Sequence, residues 1–246
     1  MTSLRTQDQT LHTRGAGFAI VLSALASLVA VALDSQAQGS DPLAILQSMV
    51  RIRESHQLVH IVAMACIGGL MVGFTVLSQR LGLRRAPVLV ALIAYGAGSM
   101  LMLVATVIDG FISTDMAALF ATRTPDAVRT GYWMIQAVAG VALTDIARVA
   151  WVCQSVAAVA WSLALLRDAG LARKAGVIGL ATGALPGVAV VAAGSRMTAT
   201  VVVGILLVQA LWNLTAAAYL LRCTGAQVDT GSARPHEGSG FRMAGQ

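Results

Sequence analysis

The chain has 246 residues, a formal net charge of +6, 57% hydrophobic residues and only 11% charged ones, with a mean hydropathy of +0.76. A water-facing domain carries about 25% charged residues, so this composition excludes a soluble enzyme, a nucleic-acid binder and a disulfide-stapled secreted domain together. The few charges are also clustered: the stretches 15–33, 55–79, 86–108, 149–166, 175–195 and 197–221 contain no Asp, Glu, Lys or Arg. Each is close to the roughly 20 apolar residues that cross a hydrocarbon core as a helix. They predict an all-α polytopic membrane protein, a six-helix transmembrane bundle spanning 15–223.

In chain order, residues 1–14 read as a cytoplasmic N-terminal segment carrying Arg5 and Arg14. The run from Ala16 to Leu33, followed by Ser35-Gln36-Ala37, resembles a signal peptide with a small-residue cleavage site, but it outruns the usual hydrophobic region of about 7–15 residues. It therefore reads as a first spanning helix. Asp41-Pro42 is an N-cap followed by proline at the first helical position. With no Gly or Pro before Gly68, one helix is predicted from about Pro42 to about Gln79. Ile45, Met49, Ile52, His56, His60 and Met64 recur at steps of three or four and form one stripe along it. Asp109 is expected to end the third spanning helix, and Thr114 to Ala121 predicts a short helix packed beside the others. Thr124-Pro125-Asp126 starts a helix that continues through Trp133 and Gln136 into the fourth span, ending near Arg167. Two spans thus protrude on one side. With residues 35–55 and 111–144 they predict a small helical extracytoplasmic cap.

Small residues at four-residue spacing mark packing faces: Gly69 and Gly73, Ala94 and Gly98, and Ala175, Gly179, Gly183 and Gly187. Pro186 predicts a kink in the fifth span. Gln209 and Asn213 on the sixth span, with Gln154 and Ser155 on the fourth, read as interhelical hydrogen-bonding groups. Tyr132, Trp133 and Trp151 suit an outer aromatic belt. Cys66, Cys153 and Cys223 have no CxxC spacing and read as small apolar fillers. The Gly-rich polar tail 224–246 predicts a disordered cytoplasmic segment.

Orientation follows from the basic residues, which collect in cytoplasmic loops. Arg80, Arg84, Arg85, Arg167, Arg173, Lys174 and Arg222 fall on the side of both termini, while Arg51, Arg53, Arg123, Arg129 and Arg196 fall on the other. Both termini are therefore expected in the cytoplasm. Lys174 is the single lysine among seventeen basic residues, and this arginine bias points to a bacterial inner membrane.

The candidate site is where polar residues meet the outer boundary. His56 and His60 differ by about 40° around the helix and face the same way, with His60 about 6 Å and Met64 about 12 Å below His56. Asp109 enters the same layer, and Asp145 and Arg148 can pair at i and i+3. Intramembrane ionisable groups are costly and point to a functional site with a named partner. The expected pairs are His60 with Asp109 and Asp145 with Arg148, the latter an ionic or proton-coupling pair. Two imidazoles one turn apart can ligate one side of a metal. His56, His60 and Met64 suit copper, whereas His56, His60 and Asp109 suit zinc.

A bis-histidine haem is excluded because both imidazoles share one side, leaving only a His/Met haem through Met100 or Met102. Lys174 lies at the cytoplasmic edge, unsuited to a buried Schiff base. No GxxxxGK[ST] loop occurs, so no nucleotide is expected, and no catalytic residue is assigned. Three readings of function follow. The first, favoured on general grounds, is a structural or accessory protein whose ionic layer stabilises the bundle and whose cap meets a membrane or periplasmic protein partner. The second is a metal-binding or redox membrane protein. The third is a small-molecule or ion transporter in which Asp109 or Asp145 titrates. All three share the lipid bilayer as a partner.

Overall fold

The computed structural model describes residues 2–194 and 197–223. Among them the backbone forms α1 (Thr2–Leu33), α2 (Pro42–Leu81), α3 (Ala86–Val107), α4 (Thr114–Phe120), α5 (Pro125–Ile135), α6 (Leu143–Leu166), α7 (Leu171–Ala193) and α8 (Ala199–Cys223), with no strand. A π-helical turn, Ile108–Ser113, joins α3 to α4, and a second, Gln136–Ala142, joins α5 to α6. Followed through these turns, six helices are long and apolar enough to cross a membrane: Leu11–Leu33, Pro42–Leu81, Ala86–Phe120, Pro125–Leu166, Leu171–Ala193 and Thr200–Arg222. Their outward faces are apolar, with Val191 74%, Leu22 67% and Ile93 64% exposed. Only lipid covers such surfaces without penalty, and the chain is a multi-pass membrane protein.

The long second helix begins where the sequence places it. The Asp41 side chain accepts a hydrogen bond from the Ala44 amide at 3.0 Å, and Pro42 lacks the donor that the first turn would leave unpaired. At 1.5 Å per residue, α2 is about 60 Å long, twice the roughly 30 Å hydrocarbon thickness. Its surplus packs with α4 and α5 as a cap, closed by the buried side chains of Leu46, Ala117, Val128 and Ile135. Gly131 allows the Phe120 ring to lie directly on α5. Arg53 on α2 binds Asp115 on α4 at 2.6 Å, tying the cap together by charge as well.

The small residues are the packing surfaces. Gly69 and Gly73 face Ser23 and Ile20 of α1, Gly98 faces the Ala150 carbonyl of α6, and Gly179, Gly183 and Gly187 face Ser162, Ala158 and Ser155 of α6. Without a hydrophobic driving force in lipid, such close backbone approach is what holds helices together. Towards the end opposite the cap, the interior is filled by rings. Phe74 lies 4.7 Å from Tyr95 and stacks on Trp161 with centroids 4.7 Å apart, and Trp212 is 6.3 Å away. The Trp161 indole donates to Ser78 Oγ at 2.9 Å, and that hydroxyl donates to the Phe74 carbonyl at 2.9 Å. Gln209 donates to Gln154 Oε1 at 2.8 Å, joining α8 to α6 as the amide spacing predicts.

Two details differ from the sequence reading. Asp109 does not end a helix: the π-helical turn carries α3 onward into α4. Trp151 is 7% exposed and packs with Val190 and Ile205 rather than in a surface belt, because its side of α6 faces α7 and α8; Trp133, 60% exposed, fits the belt. Pro186, where the sequence predicts a kink, lies buried inside α7. The tail 224–246 and Arg196 lie outside the described residues.

Candidate metal centre

The stripe along α2 turns inward: Ile45, Met49, Ile52, His56 and Met64 are half-buried and His60 is buried. Its polar part meets two other elements. One is the chain leaving α1, where Asp34 follows the last helical residue, Leu33. The loop after it folds back on α2: the Gln38 amide donates to Ser48 Oγ at 3.1 Å, and Gly39 lies against the backbone of Ala44 and Ile45. The other is the π-helical turn carrying Asp109. There Gly110 lies so close to His60 that a Cβ would stand 2.5 Å from the imidazole Cγ. Glycine is what lets this backbone reach the histidine.

These elements bring four side chains together. His56 Nδ1 is 2.6 Å from Asp34 Oδ1, and His60 Nε2 is 3.2 Å from Asp109 Oδ2. The two rings lie 4.2 Å apart between centroids. One ligand atom each from Asp34, His56 and His60 converges within 4.8 Å. The site is largely shielded, the side chains of His56, Asp34 and His60 being 11%, 16% and 10% exposed, whereas Asp109, at 40%, keeps an open edge.

The hydrogen bonds fix the proton positions. His60 Nδ1 is 2.8 Å from the His56 carbonyl oxygen; a carbonyl only accepts, so Nδ1 carries the hydrogen. Nε2 then faces a carboxylate oxygen. A second proton on the ring satisfies that contact, and so does a cation bound by both atoms. Asp34 likewise accepts from His56 Nδ1–H, so in the neutral ring the lone pair is on His56 Nε2. Two donors each about 2.0–2.1 Å from a tetrahedral zinc stand roughly 3.3 Å apart. The His60–Asp109 separation of 3.2 Å already matches that spacing.

Of the residues singled out in the sequence, His56, His60 and Asp109 come together, with His60 and Asp109 paired as expected. Met64 lies one turn further along α2, half-buried, while the polar atoms meeting the histidines belong to carboxylates and a backbone carbonyl. Asp145 and Arg148 pair at 2.9 Å, and Arg148 also donates to the Gly194 carbonyl, so this pair fastens α6 to the end of α7. Met100 is 56% exposed, and Met102 packs against the Trp151 cluster. The polar partner of His60 is Asp109 in place of either thioether.

Asp34 escaped the sequence reading, which weighed its neighbourhood only as a cleavage site. Its signal is its place, an acidic residue immediately after an uncharged span and facing the side to which the histidines belong. The chain matches no protein-family model, no curated protein and no solved structure.

Proposed function

We propose that this multi-pass protein binds a metal ion at the cap end of its bundle, through His56, His60 and Asp109. The observation that supports this reading best is the two-sided engagement of His60: Nδ1–H is held by a backbone carbonyl while Nε2 faces Asp109 at the spacing of two metal donors. The distribution of basic residues supports an orientation with both termini cytoplasmic and the cap outside, and the arginine bias supports a bacterial inner membrane. Metal then reaches the site from the extracytoplasmic side. The packed rings of Phe74, Tyr95, Trp161 and Trp212 fill the interior beyond it, which favours one-sided metal handling over transport through the bundle.

The test is elemental analysis of the full chain purified in detergent, after loading with zinc or copper and removal of excess. About one metal per chain is expected, absent from the His56→Ala/His60→Ala variant. A metal content that the double substitution leaves unchanged overturns the reading. The pairing of His56 with Asp34 and of His60 with Asp109 favours a second reading, an accessory protein whose ionic layer stabilises the bundle. It predicts that the double variant loses thermal stability while the wild type takes up no metal.

A further inference from the structure

We propose that Asp34 is the positioning residue of this site and that the site is built for a zinc-class divalent ion. The proposal rests on the metal-binding reading and goes beyond it in naming the ion class and a residue outside the ligand set. Asp34 holds His56 by a short 2.6 Å bond to Nδ1, and this bond commits the ring to one tautomer. Nε2 is thereby kept as the lone-pair donor of the neutral ring, which lies 4.2 Å from the His60 ring between centroids. A carboxylate on the far nitrogen of a ligating histidine raises that ligand's basicity and fixes its orientation.

The placement of Asp34 is enforced from two sides. Helix α1 ends one residue before it, with Ser23 and Ile20 seated against the glycines of α2. The following loop is pinned by Gln38 to Ser48. A carboxylate only 16% exposed beside a membrane boundary is costly, and its hydrogen bond to His56 compensates it. The donors offered to the ion are then an imidazole nitrogen from each of His56 and His60 and the Asp109 oxygen that faces His60, with Asp34 bound to the other nitrogen of His56. Nitrogen and carboxylate oxygen suit zinc and its neighbours, whereas thiolate and thioether sulfur select copper(I).

The test is a zinc titration of the full chain in detergent, with copper(I) as competitor, on wild type, Asp34→Ala, Asp34→Asn and His56→Ala/His60→Ala. Removing an orienting partner weakens metal affinity about 10–100-fold, and this loss is expected for Asp34→Ala. Asp34→Asn keeps an amide oxygen that accepts from Nδ1–H, so its affinity stays within about tenfold of wild type. Nitrogen-15 spectra of the imidazoles supply a readout that a merely structural role leaves unmoved: His56 stays protonated at Nδ1 in wild type and Asp34→Asn, and loses that preference in Asp34→Ala. If Asp34→Ala does not fold, the Asn variant and its tautomer decide. Unchanged affinity in Asp34→Ala, or an Asn variant as weak as Ala, overturns the positioning role; tighter binding of copper(I) than zinc overturns the ion class. Wild type that binds no metal, or a double-histidine variant that still binds it, instead overturns the metal-binding reading itself.

Discussion

At the scale of single residues, the site depends on Gly110 as much as on the side chains that face it. Any Cβ there stands 2.5 Å from His60 Cγ and 2.6 Å from its Cβ, atoms at the root of the side chain that cannot swing aside. Gly110→Ala is expected to lower stability by about 1–3 kcal/mol, the range for overpacking a tight contact, and to weaken zinc binding by displacing His60 from Asp109. Thermal unfolding in detergent with and without zinc checks both effects; unchanged unfolding and affinity would show that the turn yields without strain. Ser78 supplies the contrast. Its hydroxyl receives the indole of a Trp161 that is fully buried, so Ser78→Ala leaves that N–H unpaired at a cost of about 1–3 kcal/mol. Because Ser78 sits beyond the aromatic cluster, a fall in melting temperature with unaltered zinc affinity is expected.

At the scale of elements, helices and packing faces were legible because each depends on local pattern. Uncharged runs gave the spans, Asp41-Pro42 gave the start of α2, and glycines four apart gave the surfaces against α1 and α6. The His60–Asp109 pair was legible too, since both residues lie near the same ends of adjacent spans. The π-helical turns were not: one residue added to a turn leaves an apolar sequence looking apolar, and nothing in the hydrophobic period of 100–125 records it. Such turns occur frequently at functional sites, and here the turn Ile108–Ser113 carries Asp109 and packs against the turn Gln136–Ala142. Asp34 was illegible for another reason. Helical periodicity stops at Leu33, and no pattern in the sequence states where an irregular loop returns. The glycine faces carry their own prediction: Gly73 has Ile20 of α1 directly against it, so Gly73→Leu is expected to separate α1 from α2. Proteolysis in detergent should then cleave the loop 34–41 faster than in wild type, while equal rates would show that α8 alone retains α1.

At the scale of the whole molecule, the cap and the arginine-rich ends define opposite faces. Arg85 meets Asp168 at 3.4 Å on the face away from the cap, whereas Arg53 and Asp115 belong to the cap. Single-cysteine reporters in a chain with Cys66, Cys153 and Cys223 replaced by alanine test the orientation. An impermeant thiol reagent added to intact spheroplasts should label Arg123→Cys, and reach Arg84→Cys only after permeabilisation. The reverse pattern would invert the protein and put its histidines on the cytoplasmic side.

The first two helices are latched at both ends: Arg80 donates to Thr13 Oγ1 at 2.7 Å and 2.9 Å, and His56 binds Asp34 at the other end. In chain order this hairpin precedes the helix that leads to Asp109. Asp34, His56 and His60, three of the four polar side chains, therefore belong to one pair of consecutive helices and the loop between them. Asp109 arrives only with the next helix. Synthesis from the N-terminal side therefore makes both histidines before the carboxylate that faces His60.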